Sequence, residues 1–410
     1  MRCKFCNTAI SDATFDLGNT AISNALIEEA NLNSVEETFP LILYTCPKCF
    51  LVQIEVQVAS DRIFTEEYVY FSSLSKFWLQ HAKKFCEDIK NHLSLDSKSF
   101  VIEIASNDGY LLRNFVEVGI NCLGIEPTKS TADTALSIGV PTLIEFFNSD
   151  LAKQLKQKNI SADLIILNNV LAHVPEINDF VGALKVVLKK EGTITVEFPH
   201  LLELIKNNQF DTIYHEHFFY FSLKTLQKIF IRHRLSIYNV EQLDTHGGSL
   251  RIYATHEGNS LDISSHKKSV EKIIKVEINH GINKINFYSQ LGNNAYRLKL
   301  NALKYLVAKK ILNKSIAAFG AAAKGNTFLN YCGIKKDIID FVVDETPYKI
   351  GKYLPQSKIP ILPFEMLKKA KPDVIVILPW NHKEEILAKL EFTKSWNAEI
   401  VTFIPELKCY

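Results

Sequence analysis

No run of eighteen apolar residues occurs in this sequence, so it offers no stretch expected to cross a membrane as a helix. It lacks a field of one charge as well. Its 47 lysines and arginines stand against 45 aspartates and glutamates, a formal net charge of +2. That balance excludes the basic surface expected of a nucleic-acid binder. The opening stretch MRCKFCNTAI lacks the apolar core of a secretory signal, which sets the expectation of a cytoplasmic protein. Solenoid-type repeats and low-complexity tracts are missing too, which sets aside repeat and disordered architectures. Eight cysteines in 410 residues do not make a disulfide framework. A chain this long exceeds one ordinary core, and two or three domains are expected.

Half of those cysteines are paired in sequence, as Cys3-x-x-Cys6 and Cys46-x-x-Cys49. Each pair is a knuckle offering two thiolates, and two knuckles close a tetrahedral S4 site for zinc. A closed site has no open coordination position, so its expected role is structural. Cys86, Cys122, Cys332 and Cys409 are scattered and read as ordinary small residues.

From Phe100 onward strands and helices alternate. FVIEIASNDG, NCLGIEPT, DLIILNNVLAHV and GTITVEFPH read as strands, with helical spacing between them. This rhythm predicts an α/β fold with a parallel sheet covered by helices. A long helical stretch covers about 266–312. A second, smaller βα series follows in KSIAAFG, DIIDFVVDE, KPDVIVILPW and AEIVTFIPEL. The expected division is a zinc-binding domain at 1–75, a ligand-binding α/β domain at 76–265, a helical connector at 266–312 and a smaller Rossmann-like domain at 313–410.

EIASNDG, Glu103 to Gly109, ends the first parallel strand. Small and polar residues there, Ser106 and Asn107 among them, let a ligand approach the backbone. About twenty residues on, Glu126 ends the second strand, where an acid can accept both ribose hydroxyls of an adenosine. Asn168 and Asn169 end the third strand and face the same crevice. The turn lacks G-x-G-x-x-G, which disfavours a dinucleotide pyrophosphate. S-adenosylmethionine has a ribose and no phosphates, and it fits that lack.

YHEH, Tyr214 to His217, places four hydrogen-bonding side chains in a row. A metal site, an acid/base site and a polar turn all stand as readings. The metal reading is the weakest, because H-E-H is not H-E-x-x-H and zinc has a better home. Tyr68 and Tyr70 in YVYFSS would share one face of an extended segment. THGGSLR puts His246, Ser249 and Arg251 around a tight turn, where the arginine either faces a phosphate or sits on a hairpin surface. In FGAAAKGNTFLN, Gly320, Lys324, Gly325 and Asn326 open a helix suited to a pyrophosphate. Asp344 and Lys349 are candidates for the same crevice.

Taken together, C-x-x-C twice, YVYFSSLS, EIASNDGYLL, GIEPT, NNVLAHVPEINDF, YHEHFFYFS, THGGSLR and FGAAAKGNTFLN resemble the sugar C-methyltransferases that act on nucleotide-linked keto-sugars. The stretches run through the whole chain in the family's order. The resemblance implies an N-terminal zinc domain, a central class I methyltransferase domain binding S-adenosylmethionine, and a C-terminal Rossmann-like domain holding the nucleotide. It implies methylation at C-3 of a nucleotide-diphosphate 4-keto-deoxysugar, and a monomer is expected. In the family's Y-x-E-H the tyrosine, glutamate and second histidine serve catalysis, here Tyr214, Glu216 and His217. His217, with a pKa near neutrality, suits the base. Tyr214 donates to the enolate oxygen. Glu216 orients the imidazole or holds a sugar hydroxyl. Either Tyr68 or Tyr70 approaches the sugar, and His215 is the least determined of the four. Ala105 stands where many methyltransferases carry glycine. Two alternatives from other classes are an NAD-dependent nucleotide-sugar oxidoreductase or dehydratase and a non-enzymatic zinc-ribbon adaptor.

Overall fold

The structure is a computed structural model that describes residues 1–55, 58, 71–259 and 267–410. Strands β1 (Ala13–Thr20), β2 (Phe39–Thr45) and β3 (Val52–Ile54) form an antiparallel run. Along β2, Leu41, Leu43 and Thr45 are buried while their neighbours are less so, the alternation of a sheet with one wet face.

The central sheet starts with β4 (Phe100–Ile104), β5 (Asn121–Ile125), β6 (Thr142–Leu143), β7 (Ala162–Asn168) and β8 (Leu188–Pro199), all parallel. Their apolar runs do not alternate because helices cover both faces. On one face Val101, Leu164 and Ile166 pack with Ala82, Phe85, Cys86 and Ile89 of the helix Lys76–His92. Those four recur at helical spacing, which is why this stretch coils. On the other face Ile102, Ile165 and Leu167 join a core that continues into the first sheet.

β9 (Phe219–Tyr220) leaves the central sheet and completes the first one. Val52 lies opposite Tyr220, and Gln53 opposite Phe219. The aromatic run after YHEH is thus the fourth strand of the cysteine-bearing sheet. β10 (Leu235–Leu243) and β11 (Ser249–His256) return antiparallel and finish the central order β6-β5-β4-β7-β8-β11-β10.

The last sheet holds β12 (Ile316–Phe319), β13 (Phe341–Asp344), β14 (Ile361–Pro363), β15 (Val374–Ile377), β16 (Glu399–Thr402) and β17 (Lys408–Cys409). Its order is β14-β13-β12-β15-β16-β17, parallel except for β17.

Two helices, Lys267–His280 and Ile285–Ile311, link the central and last sheets. The first is docked by chemistry as well as by packing. Its buried Glu277 accepts from Leu223 N at 2.6 Å and Lys224 N at 2.9 Å, and bonds His200 Nε2 at 2.8 Å. A carboxylate at the N-terminus of the helix Leu223–Arg232 meets both the unpaired amides and the positive end of the dipole.

The loops after the central and last sheets meet at a seam. Trp380, just beyond β15, donates from Nε1 to Asp211 Oδ2 at 2.7 Å. Gly247 (φ 84°) lies where a Cβ would overlap the Trp380 ring, so only glycine permits this contact.

Candidate functional site

The four paired cysteines converge. Their Sγ atoms all lie within 4.8 Å of one another, with Cys3–Cys49 and Cys6–Cys46 at 3.5 Å. The knuckles share one backbone geometry. Asn7 N donates to Cys3 O at 2.9 Å and Phe50 N to Cys46 O at 3.0 Å, with Asn7 (φ 60°) and Phe50 (φ 66°) both left-handed. Cys3 and Cys49 compete for one proton: hydrogen bonding to Cys49 pulls Cys3 down to about 5, and Cys49 is pushed up. Four thiols this close, three of them buried, fit a zinc ion that would take them as thiolates. The Cys49 carbonyl accepts from Thr225 Oγ1 and Lys228 Nζ, which ties the knuckle to the central domain.

At the carboxyl ends of β4, β5 and β7 the expected cofactor residues gather. Glu126 accepts from Asn107 N through Oε2 and from Thr128 N through Oε1, both at 2.9 Å. Burial raises its pKa against those bonds. Asn107 Oδ1 and Asp108 Oδ2 accept from Ser72 N and Ser73 N, which pins the segment after YVYF to this turn. Gly109 (φ 77°) packs against Val140 and serves the turn itself. Ala105 is left-handed too (φ 54°), a conformation in which a glycine would be unstrained. Glu103 Oε2, Ser106 Oγ, Asp108 Oδ1, Asn168 Oδ1 and Asn169 Oδ1 are buried and find no hydrogen-bond partner among the described residues. Most of these atoms accept hydrogen bonds, and they sit together at the ends of β4 and β7. Ribose hydroxyls and the methionine ammonium are the donors they lack, so the crevice fits S-adenosylmethionine.

The YHEH turn is closed by His217 N on Tyr214 O at 2.9 Å. His217 Nδ1 lies 2.9 Å from the Thr212 carbonyl, which can only accept, so Nδ1 carries the proton. Nε2 then accepts from the Tyr214 hydroxyl at 2.9 Å. His173 packs edge-on against His217 with centroids 4.7 Å apart, and its Nδ1 donates to Glu216 O at 2.8 Å. Burial pushes His217 well below its ordinary value, helped by His173, Lys324 and His246. Burial likewise takes His173 down to about 4. Burial thus works against the near-neutral pKa expected of His217 and favours the neutral imidazole.

Glu216 points elsewhere. Its two oxygens accept from Asn24 Nδ2 at 2.7 and 2.9 Å, and burial pushes it up to about 7. The Thr212 carbonyl, not Glu216, orients the His217 ring. His215 Nε2 donates to Pro40 O at 3.2 Å and stitches the turn to β2. Tyr68 and Tyr70 lie outside the described residues.

Of THGGSLR, His246 reaches the crevice, with Nε2 3.3 Å from Asn169 Nδ2. Burial takes it down to about 3. Ser249 Oγ turns back to Thr245 O at 2.9 Å. Arg251 is 6% exposed and donates to Glu197 Oε2 at 2.6 Å, beside His81 and over the Phe85 ring. Neither the phosphate nor the surface-hairpin reading suits a guanidinium so enclosed.

In the last domain, Gly320 (φ 91°) sits where a Cβ would overlap Pro379, so the turn needs glycine. Asp344 accepts from Ala321 N and Thr346 N, and Lys349 Nζ donates to Ala321 O, so both brace that turn. Gly325 lets its helix approach Leu378. Asn326 is fully buried and donates to Ser23 O at 2.9 Å. Lys324 stands 4.9 Å over the Trp380 ring at the seam, and burial lowers its pKa while Asp211 opposes that. Asp211 itself is pushed up to about 7 by burial.

Sequence reasoning missed four residues here: Asn24, His173, Asp211 and Trp380. His173 carried a signal, since it follows the strand-end pair Asn168–Asn169 in one short turn. The other three meet the site from distant segments and carried none.

Residues 3–64 match the family model of a zinc binding domain, 78–237 that of a methyltransferase domain, and 244–405 that of a C-methyltransferase C-terminal domain. The C-methyltransferase NovU of Streptomyces niveus is 30% identical over 390 residues, which span 95% of this chain and 92% of NovU. Among solved structures, the magnesium protoporphyrin IX methyltransferase of Synechocystis PCC 6803 with bound SAM is 15% identical. It covers 48% of this chain and 89% of its own at a TM-score of 0.34. The PH0226 protein of Pyrococcus horikoshii OT3 is 14% identical, covering 48% and 98% at a TM-score of 0.38.

Proposed function

The chain belongs to the C-methyltransferase family and uses S-adenosylmethionine, and on that premise we propose that it methylates C-3 of a nucleotide-linked 4-keto-deoxysugar. The dehydrogenase and adaptor alternatives lapse with the family membership. The observation that carries the reading is the Tyr214–His217 pair. It joins a neutral imidazole to a phenol donor beside the cofactor crevice.

A carbon next to a ketone attacks as a nucleophile only after losing its proton, with the charge held on the carbonyl oxygen. In this reading His217 Nε2 takes the C-3 proton once the Tyr214 hydroxyl turns to the C-4 oxygen. The phenol then stabilises the enolate. Lys324 and the turn at Gly320 face the diphosphate. That negative charge offsets the lysine, one of the groups that depress His217 after burial itself, and so raises the basicity of the imidazole when substrate is in place. Glu216 accepts a sugar hydroxyl. S-adenosylmethionine supplies the methyl group from its sulfonium centre. The enolate carbon bonds to that methyl as the carbon–sulfur bond breaks, and the C-4 ketone re-forms; alignment supplies much of the rate.

The test is incubation with methyl donor and a panel of nucleotide-linked 4-keto-deoxysugars. Expected is a product heavier by one CH2, with nuclear magnetic resonance placing the new methyl on C-3. Methylation on oxygen, or on sugars without a ketone, overturns the reading.

A further inference from the structure

Glu216 is 2% exposed, and among the described residues no ion pair reaches its carboxyl. Both of its oxygens are held by a single donor, Asn24 Nδ2, at 2.7 and 2.9 Å. Asn24 does not belong to the methyltransferase sheet. It lies in the segment that leaves β1 of the cysteine-bearing sheet, and it is exposed, so its amide is not there to fill a core.

That segment is fixed along its length. Thr20 Oγ1 accepts from Asn330 Nδ2 at 3.2 Å, Ala21 N donates to Gln356 Oε1 at 3.1 Å, and Ser23 O accepts from Asn326 Nδ2 at 2.9 Å. Thr327 Oγ1, one residue on, donates to Ile213 O just before YHEH at 3.1 Å. The start of the helix Ala323–Cys332 therefore clamps the segment and the YHEH loop together, and the clamp aims one amide at one carboxyl.

We propose that Asn24 is a positioning residue for methyl transfer, through which the N-terminal domain fixes the Glu216 carboxyl in the reacting site and favours its ionised form. This deepens the proposed function and rests on its assignment of Glu216. A nitrogen donating to both oxygens at nearly equal distance suits a carboxylate, which has acceptors on both, better than a carboxylic acid, which has a hydroxyl on one.

The groups around Glu216 agree. His173, from the turn after β7, donates to its carbonyl, and His215 and His217 flank it in the chain. Burial lowers the pKa of all three imidazoles, so none supplies a cation. Burial drives the Glu216 carboxyl up to about 7, and the Asn24 amide is the group that opposes it. Without that amide the anion would form only at higher pH.

The experiment measures kcat and kcat/KM against pH for wild type, Asn24→Ala, Asn24→Asp, Glu216→Gln and the Asn24→Ala/Glu216→Gln double variant. S-adenosylmethionine affinity and the thermal midpoint are read alongside. Asn24→Ala is expected to lose about fivefold in rate at pH 7 and to recover at higher pH, its acid limb moving up by about one unit. Asn24→Asp moves that limb further, because a second carboxyl then faces the first. In the Glu216→Gln background Asn24→Ala adds nothing. An Asn24→Ala enzyme with the wild-type pH profile, or one slowed equally at every pH, overturns the inference while an impaired Glu216→Gln leaves the proposed function standing. Additive losses in the double variant overturn it as well. Wild-type turnover in Glu216→Gln removes Glu216 from the mechanism, and this inference with it.

Discussion

The Tyr214 hydroxyl lies 2.9 Å from Nε2 of His217, while the proton of that imidazole sits on Nδ1 and goes to the Thr212 carbonyl. One tautomer is thereby fixed, with its lone pair directed at the phenol. If this pair carries the proton transfer, His217→Ala lowers kcat about 10²–10⁴-fold. Tyr214→Phe, which removes the donor to the enolate oxygen, costs about 10²–10³-fold. His215→Asn does less to turnover, since that ring serves a Pro40 carbonyl. Steady-state rates with calorimetric S-adenosylmethionine affinities check this. Full activity in His217→Ala, or a defect confined to ligand binding, refutes the role.

Freshly purified protein should hold about one zinc per chain on Cys3, Cys6, Cys46 and Cys49. Cys46→Ser should loosen the N-terminal domain, because such a site couples to folding. The damage should travel, since β3 pairs with β9 two residues beyond His217. Metal analysis together with turnover after chelation tests both halves. A zinc-free protein with full activity contradicts them.

Glu126→Ala should weaken S-adenosylmethionine binding by about 1–3 kcal/mol, the worth of hydrogen bonds to a charged acceptor. The carboxylate also straps Asn107 N and Thr128 N, so its loss frees the turn after β4. Calorimetry with unchanged affinity would place the cofactor elsewhere.

Arg251→Ala should cost about 3–5 kcal/mol of stability, because it strands Glu197 as a buried, half-partnered carboxylate. Burial opposes ionisation of Glu197, yet His81 and Arg251 hold it down at about 2. Denaturant unfolding at pH 7 measures the loss. A variant of wild-type stability but weakened substrate affinity would return Arg251 to a phosphate-facing role.

The parts of this protein that were legible in its sequence are those written in local patterns. Two C-x-x-C knuckles make a metal site by spacing alone, and EIASNDG followed by Glu126 makes a strand-end crevice by the rise of β4 and β5. What was not legible depends on where distant segments land. Arg251 looked available because a hairpin arginine usually is, but β8 places Glu197 opposite it in register. Asn326 looked like a phosphate ligand at a helix start, yet the segment after β1 arrives there and takes its amide. Glu216 looked like the partner of His217 by adjacency, whereas the turn sends its carboxyl to Asn24. The pKa of His217 follows burial and three neighbouring groups, and none of these is visible in YHEH.

Glu216 also makes a prediction about stability that is independent of turnover. Its folded pKa is raised, to about 7 from an ordinary 4.5, chiefly by burial. A carboxyl raised in the folded state contributes stability that is fully present below its unfolded value and is lost as pH rises through the folded value. Between about pH 5 and 8 the native chain must give up a proton that the unfolded chain has already released. The cost approaches about 3 kcal/mol over that window. Glutamine at this position does not titrate. Glu216→Gln should therefore gain on wild type steadily as pH rises from 5 to 8, whatever their difference at pH 5. Urea unfolding of both proteins without ligands, at several pH values, measures that difference. A gap that stays constant across the window, or narrows toward pH 8, would mean that Glu216 ionises as an ordinary carboxylate and that its burial has been relieved.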